Sequence, residues 1–225
     1  MRDSSVQDRL DDVRRQIGDS ARLADRKNDE ITLIAVSKTH PAEAIEPLIE
    51  AGQRDFGENR VQEAAAKWPE LKAAYPNVRL HLVGQLQSNK AEQAVELFDV
   101  IHSVDRSSLI QALARAAEKA GRAPDCFLQV NLAEEPQKGG CAIDEIPGLI
   151  EEARMAGLPL IGLMCIPPAD LEPAPWFALL AENGRRHGLP ALSMGMTADY
   201  PTAVTIGATH VRIGTALFGE RETAA

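Results

Sequence analysis

Lys38 follows directly on the apolar, β-branched run Ile31-Thr-Leu-Ile-Ala-Val-Ser37. Partial burial at the end of such a run favours an uncharged amine, whose lone pair attacks a carbonyl carbon and forms a Schiff base. The plain alternative is a surface lysine where the chain leaves a strand. Far along the chain, Leu192-Ser-Met-Gly-Met-Thr197 and Val211-Arg-Ile-Gly-Thr-Ala216 combine hydroxyls with glycines. Ser193 and Thr215 offer hydroxyls, while Gly195 and Gly214 let backbone N–H groups come close to an anion. Thr215 adds an amide at the expected start of a last helical turn. Taken singly, either loop reads equally well as an ordinary glycine turn. Together, opposite a lysine able to form a Schiff base, they describe a pocket for a phosphorylated aldehyde.

Other candidates are weaker. Cys126, Cys141 and Cys165 are odd in number, lack C-x-x-C spacing and have no base at a spacing visible in the sequence. They read as structural thiols of a reducing compartment rather than as a disulfide framework or zinc site. His81 stands inside a strand pattern, as a core histidine does. Lys90 and Lys138 are accounted for by a solvated helix start and a mobile loop. The net charge of −9 repels phosphate backbones, so nucleic acid is not an expected partner. The charged first thirty residues predict no signal peptide, and no apolar run approaches the ~18 residues of a membrane span. A cytoplasmic protein is expected.

The elements that must position these residues alternate. Val6, Leu10, Val13 and Ile17 form one apolar stripe on a helix expected over Ser4–Ala24. The run ending at Ser37 has the pattern of a strand buried on both faces. Further strands are expected at Asp55–Phe56, Arg79–Val83, Val100–Val104, Cys126–Leu132, Pro159–Met164, Ala191–Ser193 and Thr209–Ile213. Helical patterns separate them, among them Arg106–Ala120 with Asp105 as its expected N-cap and Gly121 as its stop. Eight strands in a 225-residue chain predict one compact (β/α)8 barrel over residues 1–225 with an extra N-terminal helix, against ~250 residues for a typical barrel. A doubly wound sheet would carry a G-x-G-x-x-G turn after its first strand, and Ser37-Lys-Thr-His-Pro41 is not one. In a barrel the chemistry belongs at the C-terminal ends of the strands, where Lys38 stands, and phosphate sites commonly use the loops after strands seven and eight.

Seven stretches, in order, resemble the pyridoxal phosphate homeostasis proteins, which are similar to the N-terminal barrel of alanine racemase. They are Ala-Val-Ser-Lys38-Thr, Phe56-Gly-Glu-Asn-Arg-Val-Gln-Glu63, His81-Leu-Val-Gly-Gln-Leu-Gln-Ser-Asn-Lys90, Gln137-Lys-Gly139, Gly162-Leu-Met-Cys-Ile-Pro167, Leu192-Ser-Met-Gly-Met196 and Val211-Arg-Ile-Gly-Thr-Ala-Leu-Phe-Gly219. Each is weak alone; the ordered set, spanning about residues 31–221, is specific. Thr197 stands where the family usually has serine and keeps the hydroxyl. The resemblance implies pyridoxal 5′-phosphate (PLP) as cofactor, held as an internal aldimine on Lys38. Ser193, Gly214 and Thr215 would hold the phosphate, with the Met194 amide as a further donor, and Arg212 would face the pyridine nitrogen. Asn59 would line the ring or its O3′ side. Read without the resemblance, Arg212 is equally a structural ion-pair partner, Asn59 a helix cap and Met194 apolar packing.

Two-base racemisation needs a proton donor on the face of the ring opposite the lysine. In the racemase a second domain of a partner subunit supplies it. Here the sequence runs ten residues past Thr215, and neither tyrosine, Tyr75 or Tyr200, is an obvious second base. The expectation is a monomeric carrier that buffers PLP or delivers it to PLP-dependent apoenzymes without robust catalysis. The alternatives are a slow PLP-dependent amino-acid racemase and a lysine Schiff-base aldolase without PLP.

Overall fold

The computed structural model describes residues 5–219. Helix α1 (Val6–Leu23) opens on a capping box in which the Asp8 amide donates to Ser5 Oγ and the Ser5 amide to Asp8 Oδ2, at 3.1 and 3.0 Å. Its stripe of Leu10, Val13 and Ile17 is buried. Eight strands follow: β1 (Thr32–Val36), β2 (Asp55–Glu58), β3 (Arg79–Leu82), β4 (Val100–Val104), β5 (Asp125–Gln129), β6 (Leu160–Met164), β7 (Ala191–Met196) and β8 (His210–Ile213). They pair in parallel, in chain order, and the barrel closes where Thr32 and Ile34 of β1 lie beside His210 and Arg212 of β8. Between them run α2 (Ala42–Glu50), α3 (Val61–Ala74), α4 (Ala91–Leu97), α5 (Ser107–Ala120), α6 (Ile146–Met155), α7 (Ala174–His187) and α8 (Tyr200–Ile206). A last turn, α9 (Thr215–Phe218), follows β8, and α1 packs on α8 and α9. The expected (β/α)8 barrel with an added N-terminal helix is the fold.

Two differences from the sequence pattern bear on the site. The seventh strand continues past Ser193 to Met196, with its pairing to β8 shifting register between those two residues; Gly195, in that stretch, adopts φ +94°, and a Cβ there would sit 2.6 Å from Ala203 Cβ. Asp105 does not cap α5. The N-cap is Arg106, without a side-chain cap bond, and Asp105 instead accepts from the Gly140 amide and from Arg106, at 3.3 and 2.5 Å.

The core has two parts. A large shell between strands and helices holds Phe56, Trp68, Phe98 and Phe177 among many aliphatic residues. Inside the barrel, Val100, Phe127 and Met164 form a small apolar cluster with Ile161 and Ala191 against it. The interior also holds polar groups, with His81, His102, Ser193 and Arg212 all buried. All three cysteines are free and buried; burial pushes the Cys141 and Cys165 thiols up to about 12 and raises Cys126 as well. No described helix is long and apolar enough to cross a membrane.

Candidate functional site

A cavity of about 240 Å³ opens at the C-terminal ends of the strands, where this fold places its chemistry. Lys38, Asn59, Arg212, Gly214 and Thr215 line it together, with His40, Ile166, Met196 and Thr197 among the other wall residues. Positions separated by more than 170 residues in the chain thus meet because β8 closes on β1.

Lys38 is partly buried two residues beyond the end of β1 at Val36, in a turn that is held from below. Thr39 adopts φ +66°, a left-handed conformation that a β-branched residue rarely takes. Its amide donates to Glu63 Oε1. Lys67 Nζ donates to the Ser37 and His40 carbonyls, at 3.0 and 2.8 Å, so it spans the lysine-bearing turn from both sides. Lys67 also pairs with Glu58 Oε1 at 2.9 Å, and that buried oxygen accepts from Ser37 Oγ and Trp68 Nε1, at 2.6 and 3.0 Å. A strained turn persists only when its surroundings over-determine it, and this ion pair does so.

Asn59 is the first residue after β2 and lines the cavity, while the N-cap of α3 is Arg60. Gly84 makes room for the Asn59 backbone, since a Cβ there would lie 2.2 Å from the Asn59 carbonyl oxygen. Gly214 is the N-cap of α9, and Thr215 is its first residue. The opening amides of a helix have no intrahelical acceptor and favour an anion.

Arg212 is 5% exposed and rises under the cavity from β8. Nη1 donates to Ser193 Oγ at 2.6 Å and Nη2 to the Cys165 carbonyl at 3.0 Å. Burial lowers its pKa from the ordinary value, yet a guanidinium keeps its charge at any working pH. Among the described residues no carboxylate pairs with it.

Ser193 and Met194 are placed elsewhere. Both are fully buried within β7, a layer below the cavity, because the strand runs on to Met196. Ser193 Oγ is engaged by Arg212 and by His102 Nδ1 at 2.8 Å. The hydroxyl residues on the cavity wall are Thr197 and Thr215. His81 is buried as expected for a core histidine, but it is bonded at both ring nitrogens, to Asp55 and to His102. The strand and loop patterns alone do not single out His102 or His40. His40 lines the cavity with its ring stacked on Phe218 at 4.3 Å. The signal for His102 was a polar residue inside the otherwise apolar Val100–Val104 strand. Tyr200 donates to Gln16 Oε1 at 2.9 Å, and neither tyrosine lines this cavity. Among the described residues, no cluster of His, Cys, Asp and Glu could hold a metal ion.

The alanine racemase N-terminal domain family matches residues 9–222. The pyridoxal phosphate homeostasis protein of Pseudomonas aeruginosa is 42% identical over 226 residues, covering 97% of each chain. The protein of that name from Escherichia coli K12 is 36% identical, covering 95% of each. Among solved structures, PipY of Synechococcus elongatus with PLP bound superposes with a TM-score of 0.81 at 42% identity, covering 96% of this chain and all of that one. An alanine racemase of Clostridium difficile shares the fold at a TM-score of 0.69 and 15% identity, over 58% of its own length. The chain belongs to the pyridoxal phosphate homeostasis protein family, built on the alanine racemase N-terminal domain.

Proposed function

We propose that this protein binds PLP in the cavity at the strand ends and serves intracellular PLP homeostasis, holding the cofactor and releasing it to PLP-dependent apoenzymes. The observation that carries the reading is the donor set of one cavity: an amine, a buried guanidinium and the hydroxyl and amide of a helix start, contributed by Lys38, Arg212 and Thr215. That set matches an aldehyde, a ring nitrogen and a phosphate. Relatives named for PLP homeostasis, and a PLP-bound neighbour matched over its whole chain, support it.

Bound there, PLP supplies an aldehyde carbon for an amine and a ring that draws electrons from that carbon. Lys38 would hold the aldehyde by condensing with it and releasing water, its turn fixed from beneath by Lys67 and Glu58. Thr215, with the Gly214 and Thr215 backbone and the Thr197 hydroxyl, holds the phosphate. Arg212 sets a fixed positive charge against the ring nitrogen, which keeps a proton off it and makes the ring a weaker electron sink. Asn59 bounds the ring at its side. The wall carries one imidazole, His40, and no carboxylate or tyrosine among the described residues, which favours holding over rapid proton transfer on both ring faces. We take the protein to act as a cytoplasmic monomer.

Titration of the cofactor-free protein with PLP, followed by absorbance, tests the binding, and transfer from the loaded protein to a PLP-dependent apoenzyme tests the role. Saturable uptake with restored apoenzyme activity is expected. Steady-state racemisation of free amino acids would replace the carrier by an enzyme, and failure to take up PLP would favour the aldolase.

A further inference from the structure

Beneath the cavity, one string of hydrogen bonds crosses the barrel interior. Asp55 Oδ1 lies 2.9 Å from His81 Nε2, His81 Nδ1 lies 2.9 Å from His102 Nε2, and His102 Nδ1 lies 2.8 Å from Ser193 Oγ. Ser193 Oγ accepts from Arg212 Nη1 at 2.6 Å. The string starts at the first residue of β2, a fifth exposed at the opposite end of the barrel, passes through β3, β4 and β7, and ends on the cavity wall at β8.

Its two ends dictate its direction. A guanidinium only donates, so Ser193 Oγ accepts from Arg212 and gives its own hydrogen to His102 Nδ1. A neutral His102 then carries its proton on Nε2 and donates to His81 Nδ1, which leaves the His81 proton on Nε2. From the other end, a carboxylate oxygen accepts, which again puts the His81 proton on Nε2. Both ends give the same tautomers, with every contact holding one hydrogen. Burial lowers the pKa of both imidazoles, and for His102 the neighbouring His81, His210 and Arg212 lower it further. His210 stands outside the string; its Nδ1 pairs with Thr209 Oγ1 at 2.8 Å.

We infer that this string is a positioning device for the cofactor site: Asp55, His81 and His102 act through the Ser193 hydroxyl to fix the orientation in which Arg212 meets the ring nitrogen of PLP. The inference rests on the proposed binding of PLP beside Arg212. A guanidinium held only by the Cys165 carbonyl could swing about that contact; a second acceptor, itself held by a rigid chain of rings, removes the swing. The ring of His102 is in turn stacked on Phe127 at 4.4 Å, which fixes its plane.

Two measurements test it. In the wild-type protein without cofactor, long-range proton–nitrogen NMR of 15N-labelled histidine is expected to show His81 and His102 neutral, both protonated at Nε2. A proton on Nδ1 of either ring, or a charged ring near neutral pH, overturns the string. With PLP labelled at its ring nitrogen, Ser193→Ala and His102→Phe are expected to shift that nitrogen resonance and to weaken PLP binding about tenfold, the loss of one charge-assisted bond. An unchanged resonance and affinity in either folded variant overturns the positioning role while leaving PLP binding intact. Wild-type protein that takes up no PLP overturns the binding itself and the positioning role with it. Where a variant does not fold, the wild-type tautomers decide.

Discussion

Arg212 is the residue on which cofactor binding and the interior network meet. Arg212→Gln keeps much of its length and removes the charge, so PLP should bind between tenfold and a hundredfold more weakly, about 1.4–2.8 kcal/mol, while Lys38 still takes the aldehyde. A titration giving unchanged affinity would show that the guanidinium does not touch the cofactor. Lys38, Gly214 and Thr215 could be picked out from the sequence as residues past a strand end, whereas Arg212, inside β8, is singled out only by the family resemblance and Asn59 reads equally as a helix cap; the fold gathers all five on one wall. Ser193 could not be placed, because the sequence pattern stops β7 at that residue and a strand three residues longer sets its hydroxyl a layer deeper. His102 was illegible for another reason. A single histidine in an apolar strand is compatible with simple burial, and its partners lie 21 and 91 residues away in the chain.

At the scale of elements, the junction of β1 and α2 is held in a strained form by α3. Lys67 reaches from α3 to both carbonyls flanking Lys38 and neutralises Glu58 at the end of β2. Lys67→Ala leaves the Glu58 carboxylate buried without its cation, and should cost about 3 kcal/mol. It should also free the Thr39 turn, so that PLP adds to Lys38 more slowly. Urea unfolding and stopped-flow absorbance check the two effects; a variant as stable as wild type would mean that the pair is not what holds the turn. The strands and helices themselves were visible as β-branched runs separated by 3.6-period patterns, and glycine marked the end of α5 as expected. Boundaries failed where a side chain found a tertiary partner instead of a local one. Asp105 has the residue type of an N-cap but is drawn away to the Gly140 amide.

For the whole molecule, the barrel interior links acid stability to the network under the site. His81, His102 and His210 all have folded-state pKa values below the ordinary one, first through burial, and His210 falls to about 3. As pH falls, the unfolded chain therefore takes up these protons before the folded one. The stability tied to the three imidazoles is full above the ordinary histidine value of ~6.5 and drains below it, by up to about 1.4 kcal/mol per pH unit for each. The urea midpoint should drop between about pH 7 and pH 5, and a flat or rising midpoint would contradict buried neutral rings. The proposed function turns on covalent capture of PLP by one lysine at the mouth of this barrel. The most direct measurement loads wild-type protein and Lys38→Ala with PLP, reduces both with borohydride and maps the added mass by peptide mass spectrometry. A yellow wild-type protein is expected, with the adduct on the peptide containing Lys38 and no adduct at that position in the variant. An adduct confined to another lysine, or none in wild type, would contradict it.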